Sequence, residues 1–119
     1  MSVAIVGNVT RDPELKFAAT GNAVLNFSIA QNRKFTGKDG VEKEEVAYFD
    51  VACFGATAEN VANSVSKGVR VMVQGRLSQS SWTADDGSKR TKVEIIADEV
   101  GVSLRFSSAL LAQSAGQIF

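Results

Sequence analysis

Tyr48, Asp50, Ala52 and Phe54 alternate along the stretch Ala47 to Gly55, which places them on one face of an extended strand and Phe49, Val51 and Cys53 on the other. The second set is ordinary core material. Two aromatics flanking a carboxylate and a small residue fill a core poorly; they suit a flat ligand. The same alternation in Val69 to Trp82 puts Val71, Val73 and Leu77 on one side and Arg70, Met72, Gln74, Arg76, Ser78, Ser80 and Trp82 on the other. Guanidinium groups neutralise phosphates, and indole and phenol rings offer π-surfaces to unstacked bases, so this combination suits a nucleic-acid strand. Plain decoration of an amphipathic strand is the competing explanation. Arg33-Lys34-Phe35 repeats the combination, with a solvated strand end as the alternative there.

Other chemistries lack their residues. The chain has no histidine and one cysteine, which excludes an internal disulfide, the usual zinc ligand sets and Ser-His or Cys-His nucleophiles. Cys53 falls on the apolar parity of its strand and reads as a buried structural thiol. Asp39, Glu42, Glu44, Glu45, Asp85 and Asp86 fall in polar segments, where solvation explains them without a metal. No enzyme, metal or cofactor is expected. Thirteen basic residues balance thirteen acidic ones, so nucleic-acid binding depends on where the charges sit rather than on their sum. No basic-then-apolar leader opens the chain and no apolar run is long enough to cross a bilayer, which predicts a cytosolic protein.

One domain suits 119 residues. Val3 to Val9 reads as a strand interrupted by Gly7, and Arg11-Asp12-Pro13 breaks it before Glu14 to Phe17 resumes extended structure briefly. Ala23 to Asn32 places Leu25, Phe27 and Ile29 inward. Thr36 to Glu45, polar and bearing Gly37 and Gly40, predicts a long mobile loop. Ala58, Val61, Ala62 and Val65 recur at helical spacing, with Thr57 as the cap and Lys67-Gly68 at the end. The strand ending at Trp82 and the loop Thr83 to Arg90 follow. Thr91 to Val100 then turns Val93, Ile95 and Ala97 inward, and Leu104 and Phe106 extend the pairing or an interface. The order is that of an all-β, five-stranded OB-fold Greek-key barrel with one short helix between strands 3 and 4. Residues 1–106 form this domain and 107–119 a short flexible segment.

With those residues placed, the chain resembles the bacterial single-stranded DNA-binding proteins from Val3 to Val102. The pieces that carry the likeness are Val6-Gly7-Asn8, Arg11-Asp12-Pro13-Glu14, Phe54-Gly55, Ala58-Glu59, Lys67-Gly68, Gly75-Arg76-Leu77 and Trp82-Thr83. The resemblance implies a cytoplasmic, nucleoid-associated homotetramer that binds single-stranded DNA without sequence preference during replication, recombination and repair. It also implies stacking on Phe35, Tyr48, Phe54 and Trp82. The cations expected to hold phosphates are Arg33, Lys34, Arg70, Arg76, Lys89 and Arg90, with Arg11 and Lys16 as outer candidates.

Four departures accompany the likeness. Many relatives carry tryptophan where Phe35 and Tyr48 stand, and basic residues where Ser78, Ser80 and Ser81 stand. Asp50 occupies a position on the aromatic face where a cation is expected. The acidic tip through which the family recruits replication and repair proteins has no counterpart in Gln117-Ile118-Phe119. Rival functions for the same barrel are an accessory module whose aromatic face meets a protein, which neutral net charge favours, and an oligosaccharide-binding barrel, which has no need for Arg70 and Arg76.

Overall fold

Phe27, Leu25 and Ile29 are fully buried at alternate positions of one strand, and the sheet closes around them. The computed structural model describes residues 2–112. Its elements are β1 (Ser2–Val9), β2 (Glu14–Phe17), β3 (Ala23–Thr36), β4 (Glu42–Phe54), α1 (Gly55–Ser64), β5 (Arg70–Thr83) and β6 (Lys89–Val102). The strands run in the order β1-β5-β6-β4-β3-β2, and β1 returns to β3 through Asn8 opposite Ala30 and Val9 opposite Ile29. That last pairing closes the barrel. β1 and β2 lie along one edge of β3, separated by the Arg11-Asp12-Pro13 break, so they act as two halves of one strand. Counted that way, the barrel has five strands with the helix between the third and fourth, as expected for an OB-fold.

The core joins inward residues of the strands, among them Val9, Val51, Cys53, Val71, Val73 and Ile95, with Ala58, Val61 and Val65 from the helix segment. α1 packs against β2, β3, β4 and β6 and stoppers one end. It starts where the chain leaves β4 in extended geometry at Phe54 and turns through Gly55 at φ +65°. The expected Thr57 cap is therefore wrong: Phe54 is the cap residue and supplies no side-chain hydrogen bond. The helix ends at Ser64, leaving Lys67 and Gly68 outside it.

Gly75 marks the tightest crossing. A Cβ there would meet the carbonyl oxygen of Ile96 at 2.0 Å, and the β5–β6 register shifts between Gln74 and Gly75. Asp98 is the residue left without a partner, since Gln74 faces Glu99 and Gly75 faces Ala97. Beyond this bulge the inward parity of β6 passes from Ile95 and Ala97 to Val100.

Both expected loops are shortened by strand at their ends. The β3–β4 ladder continues to Thr36 opposite Glu42, confining the reversal to Gly37–Val41, where Gly37 N–H donates to the Val41 carbonyl at 2.9 Å. The β5–β6 ladder likewise reaches Thr83 opposite Lys89, leaving Ala84–Ser88 as the turn. These arms project beyond the barrel, so inward parity there no longer means burial. Val93, expected inward, is half exposed for that reason, as is Leu77. Leu104 and Phe106 add no pairing; β6 ends at Val102 and both side chains are exposed. The segment 107–119 falls within the described residues only as far as 112, and this part has no regular structure.

Candidate nucleic-acid interface

Directly opposed residues on neighbouring strands share a face, so the registers assemble the outward surface row by row. One row is Arg70, Asn8, Ala30 and Tyr48, running β5-β1-β3-β4. A second is Ser2, Arg76, Ile96, Ala52 and Asn26, running β1-β5-β6-β4-β3. A third is Lys16, Val24 and Phe54. Tyr48, Phe54 and Trp82 all carry outward parity and are 70%, 50% and 49% exposed. Ala52 between Tyr48 and Phe54 is buried because Ile96 of β6 lies alongside it. Asp50 accepts a hydrogen bond from the Ser28 hydroxyl at 2.7 Å across the β3–β4 pair.

Phe35 stands apart. It faces Lys43 across the hairpin, two residues along from Arg33 opposite Glu45, on the parity that continues Phe27 and Ile29 rather than on that of Tyr48. The Arg33 guanidinium lies 5.7 Å from its ring centroid, and the ring is half-buried. Lys34 takes the opposite parity, shared with Tyr48, and faces Glu44. The run Arg33-Lys34-Phe35 is thus divided between two faces of one arm.

The other cations divide similarly. Arg90 stands opposite Trp82 on its face and pairs with Asp86 at 3.7 Å. Hydrogen bonds from the hydroxyl and backbone N–H of Ser88 hold the Asp86 carboxyl below its ordinary pKa. Lys89 faces Thr83 on the other parity. Arg76 is exposed at the barrel wall beside Ile96. Arg70 lies at the far end of β5, twelve residues and roughly 40 Å along the strand from Trp82. Arg11 lies in the break between β1 and β2, and Lys16 pairs with Glu14 at 3.8 Å.

Two residues of this surface escaped the sequence reading. Lys92 stands opposite Ser80 on the Trp82 face and pairs with Glu94 at 3.6 Å. Its place among outward residues of Thr91 to Val100 was legible; its position beside the serines required the hairpin register. Ser28 likewise gave no signal until the β3–β4 register put it against Asp50. Among the described residues no cluster of His, Cys, Asp or Glu is suited to a metal, and no helix is long and apolar enough to cross a membrane.

A family model described as the single-strand binding protein family matches residues 1–103. Among curated proteins, the chain is similar to the single-stranded DNA-binding protein of Mycobacterium leprae (strain TN), at 45% identity over 111 residues, covering 91% of this chain and 66% of that protein. Its similarity to the protein of the same name from Paenarthrobacter aurescens is 42% over 110 residues, covering 91% and 64%. For Corynebacterium glutamicum the identity is 46% over 110 residues, covering 91% and 49%. The chain thus spans from about half to about two thirds of the length of these relatives.

Proposed function

The chain belongs to the single-strand binding protein family, whose named relatives are DNA-binding proteins rather than enzymes, and from that premise we propose that it binds single-stranded DNA without sequence preference. The observation that carries this reading is the set of exposed aromatics, Tyr48, Phe54 and Trp82, on the outward parity of a closed sheet. Bases stack on these rings, and sequence tolerance follows because every base has a flat face. Phe35 supplies a further ring at the underside of the β3–β4 arm. Phosphates are held by Arg33, Lys34, Arg70, Arg76, Lys89 and Arg90, of which Arg90 exchanges the Asp86 carboxylate for a phosphate on binding. With the serines of β5 in place of cations, affinity falls only moderately as salt rises.

In this role the protein coats single strands exposed during replication, recombination and repair, as a homotetramer in the nucleoid-associated cytoplasm. Residues 1–106 form the DNA-binding unit.

Trp82 is the only tryptophan, so its fluorescence has one source. Titration with oligo-dT at low and high salt is expected to show saturable quenching that weakens with salt. Absence of quenching, together with absence of binding to a labelled oligonucleotide, reassigns the aromatic face to a protein partner.

A further inference from the structure

Three cations converge where β5 begins and β6 has ended. Lys67, Arg70 and Phe106 line a groove of about 540 Å³ together with Asn8. The guanidinium carbons of Arg70 and Arg105 lie 5.3 and 5.0 Å from the centroid of the Phe106 ring, which is 73% exposed. Among the described residues no acidic side chain lines the groove. The ion pairs among the described residues involve Lys16, Arg90 and Lys92, so Lys67, Arg70 and Arg105 have no carboxylate within salt-bridge distance there. The nearby Asp12 carboxylate is engaged by the backbone N–H of Lys67 at 2.8 Å. Arg70 Nε is buried and meets no hydrogen-bond acceptor among the described residues. A buried guanidinium N–H left unpaired is costly.

We propose that Lys67, Arg70, Arg105 and Phe106 form a second contact point for single-stranded DNA, gripping a phosphate after the strand has left Tyr48. This rests on the DNA-binding function proposed above. The register supplies the path: Arg70, Asn8, Ala30 and Tyr48 form one outward row, three strand spacings or roughly 14 Å in all. Ala30 and Asn8 between them are small, so a backbone crosses without obstruction. Cation–π contact with Phe106 holds the two guanidinium forks in place before the phosphate arrives. Continuity with the Tyr48 row favours nucleic acid over an acidic peptide as the source of the anion.

The test compares the wild-type chain with Lys67→Gln/Arg105→Gln, using oligo-dT of about 5 nucleotides, near the smallest single-fold site, and of about 30, roughly twice the largest. The double variant is expected to bind the long oligonucleotide about tenfold more weakly at low salt and the short one with a smaller loss, because about 5 nucleotides at roughly 3.4 Å each only just span the distance from Tyr48. Its slope of log K against log[salt] for the long oligonucleotide becomes shallower by about 1.4, two phosphates at 0.7 each. Should the double variant melt earlier than wild type, Lys67→Gln alone replaces it, with an expected slope change of about 0.7. Unchanged affinity and slope for the long oligonucleotide, with the short one still bound, overturns the second contact and leaves the aromatic site standing. Failure of the wild-type chain to bind either oligonucleotide overturns the DNA-binding function and this proposal with it. An oligoglutamate peptide that binds wild type but not the double variant, with long-oligonucleotide binding untouched, assigns the groove to an acidic protein and also overturns the proposal.

Discussion

Ser28 donates its hydroxyl to Asp50 Oδ1 at 2.7 Å across the β3–β4 pair, so the carboxylate between Tyr48 and Phe54 is fastened along the sheet. It still carries a negative charge beside the proposed path of the phosphates. Asp50→Asn keeps an acceptor for Ser28 and removes that charge. At about 4 Å in water, one unit charge is worth about 1 kcal/mol, so oligo-dT binding is expected to tighten by up to about fivefold. Unchanged affinity in a fluorescence titration would place the strand away from this face.

The aromatics differ in how they face the barrel. Tyr48→Ala and Trp82→Ala each lose roughly 1–3 kcal/mol of binding, uniformly across homopolymer sequences, with little change in melting temperature because both rings are exposed. Phe35→Ala is expected to lose less than Tyr48→Ala, since its ring lies on the opposite parity and is covered by Arg33. Equal losses for the two variants would show that the strand wraps the edge of the β3–β4 arm.

Gly75 is required by crowding rather than by an unusual backbone angle. A Cβ at this position would lie 2.0 Å from the Ile96 carbonyl oxygen, so Gly75→Ala must push β5 and β6 apart at the bulge. A cost of about 1–3 kcal/mol is expected, read as a lowered denaturation midpoint. Gly7→Ala meets the Ala30 carbonyl oxygen at 2.8 Å and is expected to cost less. A reversed order in chemical denaturation would contradict this ranking.

Cys53 is buried, and desolvation pushes its thiol pKa from 9.0 up to about 11. The unfolded chain therefore loses this proton first as pH rises. Stability is unaffected by the thiol below about pH 9 and declines between pH 9 and about 11. Cys53→Ala is expected to flatten that alkaline decline, while native wild-type protein at neutral pH resists thiol alkylation. Rapid alkylation without unfolding would show the thiol to be accessible.

Alternation and punctuation in the sequence were sufficient for the barrel. Leu25, Phe27 and Ile29, then Val71 and Val73, declare their buried face because a strand changes sides at every residue. Tyr48, Phe54 and Trp82 were legible as outward aromatics for the same reason. The long β3–β4 arm was not: Arg33 to Thr36 and Glu42 to Val46 have no core to face, so hydrophobic alternation disappears just where backbone pairing continues. Parity also says nothing about rows. That Arg70 aligns with Tyr48 through Asn8 and Ala30, while Phe35 turns away from it, depends on registers between segments distant in the chain. Those registers come from barrel closure, the Asp98 bulge and the close crossing at Gly75, where packing across strands chooses among pairings that local pattern leaves equivalent.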